Sequence, residues 1–85
     1  LKVVEMAREN LNSSIELLEK SVNSSEVEKT KSIAHKMKGT ALSVCFNVLA
    51  NQLVELETIE KCDSKAIETT QNIKNELVYL NSILD

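Results

Sequence analysis

Apolar residues at positions 4, 7, 11, 15, 18 and 22 recur at spacings of three and four, which traces one stripe along a helix. This predicts a first helix over about 1 to 22, and Val3, Met6 and Leu17 widen its stripe toward burial along two seams. Asn23-Ser24-Ser25 interrupts the pattern with residues that favour turns and caps. Ser25-Glu26-Val27-Glu28 has the S-x-x-E form of a capping box and predicts the start of a second helix, about 25 to 44. Its core stripe is Val27, Thr30, Ala34, Met37, Ala41 and Val44. Asn47 is the expected N-cap of a third helix, about 47 to 60, on Leu49, Leu53, Leu56 and Ile59. After a break at Cys62-Asp63-Ser64, a fourth helix over about 64 to 84 buries Ala66, Thr70, Ile73, Leu77, Leu80 and Leu84. Four amphipathic helices joined by short loops specify an all-α fold, an antiparallel up-down-up-down four-helix bundle.

Composition agrees with that pattern. The 85 residues suffice for one domain with a modest core, residues 1–85. There is no proline, one glycine and 2% aromatic residues, so Leu, Ile, Val and Ala must fill the interior. No apolar run approaches the roughly 20 residues of a membrane span, and no signal peptide is visible. The helical pattern begins at Leu1, which fits a domain cut from a longer polypeptide. Cys45 and Cys62 lack C-x-x-C spacing and read as reduced, unpaired thiols in a cytoplasmic chain. With His35 they match no usual metal-ligand spacing, so no metal site is expected.

Charge is uneven along the chain. Lys29, Lys31, Lys36 and Lys38 fall in a segment, 29 to 54, without a single acid, so the remainder carries −7 against a net −3. A nucleic-acid binder would spread more Arg and Lys among aromatics. A positive patch confined to one segment instead suits an acidic protein partner or a phosphoryl group.

That segment also holds the chain's one histidine, His35, and its one glycine, Gly39. Glycine within a helix costs about 1 kcal/mol relative to alanine. Helical spacing places Lys38 and Gly39 beside His35, so the missing side chain leaves room for something to approach the imidazole. His35 shares its flank with Lys31, Gly39 and Leu42, away from the core stripe. Leu42 and the nearby Phe46 are either the edge of the core or an apolar docking surface. If the second and third helices fold back about Phe46, His35 and Glu57 stand level, each eleven residues from the turn. A carboxylate there can accept the Nδ1 hydrogen of the imidazole and leave Nε2 as a free nucleophile. Tyr79 reads as a surface residue.

Ala34-His35-Lys36-Met37-Lys38-Gly39-Thr40-Ala41, followed by Ser43-Val44 and then Leu49, Leu53 and Leu56-Glu57, resembles the histidine-containing phosphotransfer (Hpt) domain. That family's pattern is roughly A-H-x-L-K-G-x-A, with a following helix that ends in L-E or carries glutamine at the last position. The resemblance implies a phosphoryl carrier of a multistep phosphorelay, a domain with no nucleotide site of its own and not itself an enzyme. His35 would be the phosphoacceptor, Lys38 would lie near the phosphoryl oxygens, and Gly39 would give the partner room. Glu57 would hydrogen-bond the histidine, and Lys31, Lys36, Leu42 and Phe46 would face the partner. The partners implied are receiver domains, with magnesium on the receiver and no cofactor in this domain. Neither nucleic acid nor membrane contact is expected of it, and it should be a monomer. Such domains often end hybrid sensor kinases, whose parent chains can be membrane-anchored. Two other readings are a non-phosphorylated helical interaction module and the histidine domain of a chemotaxis-type kinase. The chain departs from the family at Cys45, where many members have glycine, so the turn there must either follow a right-handed path or carry strain.

Overall fold

The computed structural model describes residues 2–84, and their regular structure is α-helical. In order, the helices are α1 (Lys2–Asn23), α2 (Val27–Ser43), α3 (Asn47–Glu57) and α4 (Ser64–Leu84). Each packs on two neighbours in a square: α1 on α2 and α4, α3 on α2 and α4. The stripes expected from spacing meet at the centre, where Leu11, Leu18, Ala34, Met37, Leu49, Leu53, Leu56 and Ile73 are fully buried. Val4, Val27, Val44 and Ile59 are only half-buried at its margins.

Two expectations fail. Val3, Met6 and Leu17 are exposed and form no second seam, because they lie to one side of the buried stripe, on a part of α1 that neither α2 nor α4 covers. Leu84 is exposed too. α3 has 11 residues and α4 has 21, so the last turns of α4 run past the start of its antiparallel neighbour. Tyr79 is exposed on the same overhang, as expected.

The two tight turns are built alike. Glu26 N–H bonds the Ser21 carbonyl at 2.9 Å and Ser25 N–H bonds that of Val22 at 3.1 Å. Phe46 N–H bonds the Ala41 carbonyl at 2.9 Å and Cys45 N–H bonds that of Leu42 at 3.2 Å. Both are Schellman closures with a left-handed residue just past the helix end. Those residues are Ser25 at φ 57° and Cys45 at φ 62°, neither of them glycine.

This arrangement overturns the expected capping box. Ser25 is used to close α1, so Glu26 takes the N-cap of α2, with no side-chain cap bond. For the same reason Phe46, and not Asn47, is the N-cap of α3. Cys45 takes the left-handed path, which costs an L-residue about 1–2 kcal/mol. α3 stops at Glu57, short of the expected 60, and the Thr58 hydroxyl bonds the Glu55 carbonyl at the helix end. Asp63 starts α4, its Oδ1 accepting from Ala66 N–H at 3.0 Å.

Polar pairs fix the helices in register. The Ser21 hydroxyl donates to the Leu18 carbonyl at 2.8 Å, which leaves its oxygen to accept from Thr30 at 2.7 Å in the buried α1–α2 seam. Between α1 and α4 the amides of Asn12 and Asn81 bond reciprocally at 3.3 and 3.0 Å.

Candidate functional site

The α2–α3 hairpin brings the predicted residues together. His35 lies on the outer flank of α2 with its side chain 72% exposed. The backward fold about Phe46 sets Glu57, the last residue of α3, beside it. His35 Nδ1 stands 3.4 Å from Glu57 Oε2. An ionised carboxylate only accepts hydrogen bonds, so this contact selects the tautomer with hydrogen on Nδ1. Nε2 is then the nitrogen that carries the lone pair.

Lys38 does more than spacing alone implied. Its Nζ lies 2.8 Å from Glu57 Oε1 and donates to Oε2 at 3.1 Å. Glu57 is therefore shared, with its stronger contact to lysine and its longer one to histidine. The carboxylate is only 19% exposed, and such a group needs partners. The Lys38 hydrogen bond holds its pKa below the ordinary 4.5; partial burial opposes this, and the His35 contact adds to the lowering. Glu57 is thus an anion throughout the neutral range.

Gly39 sits one turn beyond His35 on the exposed face, and a methyl group built there would meet nothing within 4 Å. No packing inside the domain requires glycine at this position, and its φ is not positive. Space above the helix is what the residue supplies.

The flanking residues divide. Leu42 is 52% exposed, one turn past Gly39. Phe46 is half-buried against the core, so of its two readings the structure favours packing. Lys31 pairs with Glu28 at 3.7 Å on the surface of α2. Lys36 is exposed but lies toward α1: its carbonyl accepts from Thr40, whose hydroxyl also reaches Asn10 of α1. It stands on the flank opposite Glu57. One neighbour escaped the sequence reading, Val54, exposed on α3 one turn before Glu57. Its spacing of three from Glu57 was the available signal.

Taken together, these atoms form an exposed imidazole with its tautomer set by a carboxylate, a cation at hand and open space above. A family model described as Hpt domain matches residues 2–82, nearly the whole chain. The chain belongs to the Hpt domain family. Hpt domains carry phosphoryl groups on histidine in phosphorelay signalling and exchange them with receiver domains; they are carriers, not catalytic enzymes. No curated protein and no solved structure matches this Hpt domain. Its thiols, Cys45 and Cys62, are both free. No helix among the described residues is long and apolar enough to cross a membrane.

Proposed function

We propose that His35 of this Hpt domain accepts a phosphoryl group from a receiver aspartate and passes it to a second receiver, the domain serving as a monomeric, cytoplasmic module of a hybrid sensor histidine kinase. The observation that carries this reading is the exposed imidazole with Nδ1 turned to Glu57 Oε2 at 3.4 Å. Nε2 attacks phosphorus along the open side above Gly39, and the bond from phosphorus to the aspartyl oxygen breaks. The carboxylate leaves with its electron pair, and the phosphorylated ring keeps its hydrogen on Nδ1. Glu57 positions the ring and balances the charge that develops on it. Phosphoryl transfer asks a protein mainly for positioning and electrostatics, which these groups supply. Magnesium and the acidic cluster that binds it belong to the receiver. Leu42 and Val54 offer apolar contact beside His35, and the lysines of α2 attract the acidic receiver face.

The test is to offer the domain two labelled donors, a phosphorylated receiver with magnesium and a histidine kinase with ATP. Label arriving from the receiver is the expected result. Label arriving only from the kinase would replace this reading with the chemotaxis-type one, and label from neither would leave an interaction module.

A further inference from the structure

The Lys38–Glu57 ion pair engages, before any phosphoryl group is present, the two residues that would have to answer its arrival. Lys38 follows His35 by three residues on the same helix face, so its flexible stem can reach a group on the imidazole as well as Glu57. Its side chain is 25% exposed. Lys31, on the same flank, is occupied by Glu28.

We propose that Lys38 is an exchanging counter-ion, bound to Glu57 while His35 is bare and transferred to the phosphoryl oxygens once Nε2 is phosphorylated. This rests on His35 being the phosphoacceptor. A phosphoryl group brings close to two negative charges against the single one of Glu57. At comparable distance the attraction of an ammonium doubles accordingly. Glu57, mostly buried, is left in need of a partner as lysine departs. The ring meets that need, because attack through Nε2 leaves it positively charged with hydrogen on Nδ1. Both anions stay compensated before and after transfer, and loss of the phosphoryl group returns Lys38 to Glu57. Lys38 thereby acts as a positioning residue on Glu57 in one state and contacts the phosphoryl group in the other.

NMR of the isotope-labelled domain treated with phosphoramidate tests this. Nε2 attacks the phosphorus of that donor and ammonia leaves. Cross-peaks joining the Lys38 ε-methylene to the Glu57 γ-methylene should be strong in the free protein and fall severalfold as the phosphohistidine signal appears by phosphorus NMR. In unphosphorylated Lys38→Met, with fold checked by the amide spectrum, the freed Glu57 should raise the Nδ1–H tautomer fraction of His35. Lys38→Arg, which keeps a cation, should restore the parent ratio. Cross-peaks that persist beside a full phosphohistidine signal would overturn the exchange alone, as would an unchanged tautomer ratio in Lys38→Met. Absence of phosphohistidine from both phosphoramidate and a phosphorylated receiver would overturn the exchange together with the phosphoacceptor assignment.

Discussion

Gly39 is the residue whose presence the domain's own stability least explains. Its Cβ position is open, so Gly39→Ala should raise the free energy of unfolding in urea by up to about 1 kcal/mol. Gly39→Gln should also fold but slow receiver transfer by about a hundredfold, since an ångström of misplacement costs that much; equal transfer rates would remove the reason for the glycine. Cys45 is the reverse case, a side chain where the backbone at φ 62° favours none. Relief of that strain outweighs the extra freedom glycine gives the unfolded chain, so Cys45→Gly should stabilise the fold by about 1 kcal/mol, readable as a higher urea midpoint. Glu57 gives a pH signature. Its carboxyl pKa is lower in the folded protein than its ordinary 4.5, so the stability it contributes is complete above that value and fades as pH falls through the folded one. The urea stability gap between the parent and Glu57→Gln should therefore be constant near neutrality and narrow below about pH 4.5. At this scale His35, Gly39 and Glu57 were legible from spacing. The Lys38–Glu57 pair was not, because spacing gives neighbourhood and not which neighbour wins a flexible ammonium.

At the scale of elements, periodicity carried most of the fold. The stripe through Leu11, Ile15, Leu18 and Val22 needs only a regular helix and an apolar partner. What escaped was how far round each helix its partners reach: Val3, Met6 and Leu17 have the residue types of a second seam, yet neither neighbour of α1 covers them. Ends were harder for a different reason. Ser25 can either open one helix or close the one before it, and the Schellman bonds to Ser21 and Val22 decide for closure. Asp63 has no such competing role. Asp63→Ala should cost about 1 kcal/mol of stability, and a thermal midpoint matching the parent's would show that the Ala66 N–H finds water as good a partner.

Across the whole molecule, the acidic surplus is spread over α1, α3 and the loops, and α2 carries the lysines beside the one exposed imidazole. Four helices are more than a single histidine needs for exposure; they are needed to hold Glu57 on α3 level with His35 on α2, which a lone hairpin of this length would not do in water. Fold and chemistry thus meet at one inter-helix contact of 3.4 Å. The most direct test of the account is to incubate the domain with a radiolabelled phosphorylated receiver and magnesium, then expose the product to acid or base. A phosphoramidate on His35 should lose its label in mild acid, keep it in base, and be absent from His35→Gln. Label that survives acid, or that still appears on the His35→Gln variant, would contradict it.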